Sequence, residues 1–198
     1  MIPTYLLKRG LRLEYLTLAW NVIGTVIVIS SAIAAGSVAL AGFGIDSLIE
    51  IFASVVVVWQ LNGTAQHRER RALRLIGAAF FALVAYVLFQ SARSVLLQIH
   101  PATSSLGIVW LAATLAAMVL LARGKHQTGL ALNNSVLLTE ARVTLIDAYL
   151  AAAVLAGLIL NALFGWWWAD PIAGLVIVYY GLREGQHAWH EANATGEE

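Results

Sequence analysis

Asp46 and Glu50 stand four residues apart in GFGIDSLIEIFASVVVVWQ, residues 42–60, a stretch otherwise apolar enough for lipid. At helical spacing they share one face, roughly 6 Å apart. A second apolar stretch, residues 135–163, carries Glu140 and Asp147 seven residues apart, with Thr144 between them and Val143 beside it. Two helical turns bring Glu140 and Asp147 to nearly the same azimuth. Each pair is therefore a stripe of oxygen donors, and two such stripes packed together could enclose a divalent cation. A charge at mid-bilayer costs about 3 kcal/mol on insertion scales, so ionisable residues placed there usually face a cavity and work on ions or protons. A structural ion pair or a protonated carboxyl could account for one isolated acid, but less readily for four acids on two segments. Residues 39–61 contain no basic residue to neutralise their acids. Arg142 points about 150° away from Glu140 and Asp147 on the helical wheel. Carboxylates crowded in this way hold protons when no cation is present and release them when one enters, the coupling a metal–proton exchanger needs.

The elements that must position these acids follow from the composition. Of 198 residues, 60% are hydrophobic and 12% charged, and the mean hydropathy is +0.78. A soluble domain carries roughly a quarter charged residues, so this chain reads as a polytopic membrane protein. The absence of cysteine excludes disulfides and thiolate metal sites. A net charge of +1 and the absence of a basic face give no nucleic-acid surface. The first fourteen residues, MIPTYLLKRGLRLE, lack the apolar core and cleavage site of a signal peptide.

The apolar runs predict an all-α membrane protein with six spans near 15–34, 39–61, 75–96, 106–122, 135–163 and 170–183. Residues 1–198 form a single transmembrane domain in this reading, with 184–198 a short polar tail and no folded C-terminal domain. Lys8, Arg9 and Arg12, then Arg68, Arg70, Arg71 and Arg74, then Arg123 and Lys125, and finally Arg183 fall on one side. The opposite loops contain no Lys or Arg, with Arg93 alone nearby. The positive-inside rule then places both termini in the cytoplasm of a multi-pass cell-membrane protein. Trp166, Trp167 and Trp168 read as an interfacial belt at the outer end. The RERRALR run reads as a topology determinant that could also touch anionic lipid.

Other polar residues invite weaker readings. Asn21, within the first span, suits a helix–helix hydrogen bond and could lend an oxygen to the site. His67 and His126 read as loop residues, and His187 with His190 as a solvated helix end able to bind metal weakly. Asp170 lies at the outer mouth.

AAGSVALAGFGIDSLIEIFAS resembles the span 1 to span 2 region of the cation diffusion facilitator family, six-span efflux transporters of zinc, manganese, iron and related ions. The family's paired span 2 positions fall on Asp46 and Glu50. Its span 5 half-site, a His or Asp and then an Asp four residues on, falls on Val143 and Asp147, so one ligand is missing and Glu140 could replace it. ADPIAGLVIVYYGLREG resembles the family's span 6. GFGIDSLIEIFAS followed by WQLNGTAQHRERR is most similar to the short-tailed transmembrane-163-like branch of zinc-handling relatives. The resemblance implies a carboxylate metal site of Asp46, Glu50, Asp147 and Glu140. It implies zinc as substrate first and manganese next, protons as counter-ion, and a homodimer formed through the helices. Carboxylates alone suit harder ions, which is the argument for manganese.

Two other classes compete. A membrane metal-binding or partner protein that does not transport would also carry these acids. An intramembrane carboxylate enzyme would need two carboxyls about 3 Å apart sharing a proton. The sequence lacks the Gly-Asp, Ser-His and His-Glu-x-x-His patterns of such enzymes, so no enzymatic activity is expected.

Overall fold

The computed structural model describes residues 4–61, 66–132 and 135–194, with the side chains of 4, 7, 53–61, 66–70, 72, 135, 136, 139, 191 and 194 outside that description. Six helices follow one another: α1 (Thr4–Ala35), α2 (Val38–Leu61), α3 (Gln66–Leu96), α4 (Ser105–Leu132), α5 (Ser135–Phe164) and α6 (Ala169–Ala194). No strand occurs among the described residues. Four segments there are long and apolar enough to cross a membrane: Lys8–Ala35, Leu73–Leu96, Ser105–Leu132 and Glu140–Phe164. Their outer faces carry large apolar side chains in the open, among them Val26, Ile33, Phe89, Val109, Leu120 and Leu163. A surface apolar on this scale belongs in lipid.

The turns at one end are built by local chemistry. Gly36 takes φ +65° to end α1, and the Ser37 amide donates back to the Ala32 carbonyl at 3.2 Å, the bond pattern of a glycine-terminated helix. Ser37 then caps α2, its Oγ accepting from the Leu40 amide at 3.1 Å. Gly165, at φ +67°, ends α5 in the same way. Ser104 Oγ accepts from the Gly107 amide to start α4. The loop between α3 and α4 is tied down at both ends. The Ala102 amide donates to the Ala35 carbonyl at 2.8 Å, and Asn161 Nδ2 donates to the Pro101 carbonyl at 2.9 Å.

Helices α3 and α6 lie along each other, as do α4 and α5; α2 touches α1, α3, α5 and α6. Small residues permit the closest approaches. A Cβ on Gly157 of α5 would sit 2.9 Å from Ala173 Cβ of α6, and one on Gly77 of α3 would sit 3.2 Å from the Gly185 carbonyl. Leu40, Phe43, Leu83, Val87, Leu111, Val154 and Ile177 fill the shared core.

The helices run past the ends that hydropathy assigns. α3 begins at Gln66 instead of near 75, α4 continues to Leu132 instead of stopping near 122, and α6 reaches Ala194, so most of the expected tail is helix. Apolar runs report where side chains meet lipid. Backbone hydrogen bonding needs no lipid, and RGKHQTGLAL contains no proline to stop a helix. Lys125, counted among loop residues by the hydropathy reading, is consequently inside α4 and fully buried.

Candidate metal centre

Helices α2 and α5 bring three of the four candidate acids together. One carboxylate oxygen each from Asp46, Glu50 and Asp147 lies within 4.8 Å of the other two. Asp46 is 5% exposed and Asp147 3%, and Glu50 is half-buried. On α2 the two acids lie about 12 and 18 Å from the helix start by the rise per residue. The spacing that made them a stripe in sequence makes them two teeth of one helix face in space.

Asn21 of α1 reaches this cluster, its Nδ2 donating to Glu50 Oε2 at 2.9 Å. It orients a carboxylate instead of presenting its own oxygen. Asp147 Oδ1 is buried and has no hydrogen-bond partner among the described residues. A carboxylate oxygen left in that state is costly unless something else satisfies it. Lys125 makes two ion pairs, and neither touches Asp46 or Asp147.

The donor set fits a small divalent cation. Oxygens around a tetrahedral ion with bonds of about 2.1 Å lie about 3.4 Å apart, so a modest rotamer adjustment closes the present triangle. Three charged carboxylates at 4.8 Å would repel by about 3–4 kcal/mol per pair at an effective dielectric of 20. A divalent cation or protons would relieve that repulsion.

Glu140 stands apart from the triad. Its Oε2 is 3.8 Å from Lys125 Nζ, and that ammonium is 2.8 Å from Glu14 Oε2 on α1. Thr144 donates to the Glu140 carbonyl at 2.8 Å and faces the interior between the two acids. Val143 is 36% exposed. Arg142 is exposed, as its azimuth predicts.

Asp170 has a different task. It accepts from Ser37 Oγ at 2.5 Å and from the Val38 amide at 2.8 Å, so it satisfies the first turn of α2 from the start of α6. Trp166 and Trp168 stack on each other at 5.0 Å, and Trp167 stacks on His100 at 5.1 Å. His126, His187 and His190 are exposed, and the side chain of His67 lies outside the described residues. The roles of Lys125 and Glu14 escape a reading based on hydropathy. The signal for Glu14 was its spacing to Thr17 and Asn21, three and seven residues on.

A six-helix bundle with a lipid-facing surface and buried acids facing one another is a multi-pass membrane protein built to handle cations. The family model described as the cation efflux transmembrane domain matches residues 15–189. The chain belongs to the cation efflux family, whose members transport divalent metal cations. A search of curated proteins finds no match.

Proposed function

We propose that this protein exports zinc, with manganese as the next choice, in exchange for protons. The observation that carries the reading is the triad: Asp46, Glu50 and Asp147 converge from two helices, with no basic residue paired to Asp46 or Asp147 among the described residues. The cation is cargo, bound at mid-depth by the three carboxylates and a water. Protons return to those oxygens when it leaves. Glu140, two turns away on α5, supplies an acid on the approach. Alternating exposure of the site comes from rocking one group of helices against another.

In this proposal all six helices span the cell membrane, both termini are cytoplasmic, and residues 1–198 are one transmembrane domain with a short helical extension after 184. Pairing of two copies through their helices, and kinship with the short-tailed transmembrane-163-like branch, complete the reading.

The test is zinc and manganese flux into proteoliposomes under a pH gradient, wild type beside Asp46→Ala. Flux in the wild type and none in the variant is the expected result, and undiminished flux in Asp46→Ala would remove Asp46 from the site. A second reading has Val143 in its favour, since a half-site short of one ligand could bind without releasing. Metal bound by calorimetry with no flux in any gradient would select that non-transporting protein.

A further inference from the structure

Glu14, Thr17, Asn21 and Thr25 are spaced three, four and four residues apart, so they line one face of α1. The stripe runs from the end of the bundle that holds both termini up to Asn21 at the triad. α5 carries its own stripe of Glu140, Thr144 and Asp147, and Glu140 is tied to Glu14 through Lys125. Three buried oxygens along these stripes have no hydrogen-bond partner among the described residues: Glu14 Oε1, Thr25 Oγ1 and Asp147 Oδ1. A polar seam therefore leads through an otherwise apolar bundle toward the triad.

Lys125 of α4 sits across that seam. It is 0% exposed, with its ammonium 2.8 Å from Glu14 Oε2 and 3.8 Å from Glu140 Oε2. One turn nearer the termini the three helices close on each other. A Cβ on Gly10 of α1 would meet Leu137 of α5 at 3.4 Å and Thr128 of α4 at 3.9 Å. Apolar residues of similar volume would hold such a seam at least as well as a buried ion pair. An ammonium between two carboxylates instead makes closure depend on charge, and it can be undone by whatever else attracts those carboxylates.

We propose that Lys125 is a charged latch across α1, α4 and α5 that closes the approach to the triad from the end of the bundle holding both termini. It is a positioning residue: it touches the acids of the approach and acts on the triad by controlling access to it. Its importance for transport rests on the function proposed above, while the latch itself can be tested without flux.

The chain contains no cysteine, so a single Thr144→Cys gives a clean reporter at a position 3% exposed between Glu140 and Asp147. N-ethylmaleimide is neutral, so changes in local charge do not attract or repel it, and it reacts with the thiolate, which forms only where water reaches. In Thr144→Cys protein reconstituted in vesicles, adding Lys125→Met should speed modification about tenfold, the change given by ~1.4 kcal/mol in the open–closed equilibrium. Glu14→Lys alone should do the same by placing two ammoniums together. The exchanged pair, Glu14→Lys with Lys125→Glu, should return the rate toward that of the parent. Equal rates in all four proteins would overturn the latch. Fast modification in the exchanged pair as well would overturn it too, because Lys125 would then be needed for its shape and not its charge. If Lys125→Met does not reach the membrane, Glu14→Lys and the exchanged pair carry the comparison. Accelerated labelling with no metal flux in the parent would leave the latch standing and remove the transport reading; unchanged labelling with normal flux would do the reverse.

Discussion

Two groups of carboxylates lie two turns apart on α5, and they are neutralised differently. Asp147 joins Asp46 and Glu50, and neither of the two aspartates has a cationic partner among the described residues. Glu140 joins Glu14 around the ammonium of Lys125. The second group carries its counter-charge on Lys125; in the proposed function a cation supplies the charge that Asp46 and Asp147 meet. Buried acids alone are thus a poor guide to a cargo site. What separates the proposed cargo site from the proposed latch is the basic side chain that α4 places beside the latter.

Removing one acid from each group breaks the comparison most sharply. Asp147→Asn should lower metal flux at least ~100-fold, because a neutral amide cannot replace a charged ligand in a buried site; flux assays with matched protein per vesicle would show it. Glu140→Gln should retain measurable flux, since Lys125 keeps Glu14. If Glu140→Gln is as inactive as Asp147→Asn, the two groups are one site.

Stability should respond in the opposite sense. Lys125→Met leaves two acids facing each other, and unpairing a buried charge costs ~3–5 kcal/mol. Glu14 and Glu140 are 37% and 47% exposed, so water screens much of this, and ~1–2 kcal/mol is expected. Thermal unfolding in detergent should fall accordingly and recover when Glu14→Gln and Glu140→Gln are added. Asp147→Asn, by contrast, should raise the melting temperature in metal-free buffer, because it relieves crowding among like charges.

Asp170 offers a third kind of buried acid, satisfied by hydrogen bonds. Asp170→Asn should destabilise by ~1–2 kcal/mol through the lost cap of α2, with metal affinity measured by calorimetry little changed. The smallest effect belongs to Asn21→Ala. Losing one hydrogen bond to Glu50 should weaken metal binding roughly fivefold, equivalent to ~1 kcal/mol. No change in affinity would mean that Glu50 holds its orientation without α1.

Much of this arrangement is legible in the chain. Long apolar runs announce the helices, and the four-residue spacing of Asp46 and Glu50 announces a shared face. Asp147 is legible as an intramembrane acid that must face something. What the sequence conceals is which residues from distant segments meet. Lys125 lies 111 residues from Glu14, with no local pattern linking them. Hydropathy also ends α4 too early, which places Lys125 in water when it is inside the bundle. The partition of Glu140 away from the triad depends on that same lysine. Ser37 and Asp170, 133 residues apart, meet only because α6 starts beside the turn that begins α2.

That meeting determines how α2 can move. Ser37 and Val38 are held by Asp170 at one tip of the helix, and Glu50 sits about 18 Å along it. A rod fixed at its tip swings like a lever. A tilt of about 10° carries Glu50 about 3 Å and Asp46 about 2 Å while the pinned turn stays in place. Metal–oxygen bonds of about 2.1 Å do not survive a displacement of that size. In the proposed function, the bond that caps a helix at one end would provide the fulcrum for taking hold of an ion, and letting it go, at the middle of the helix.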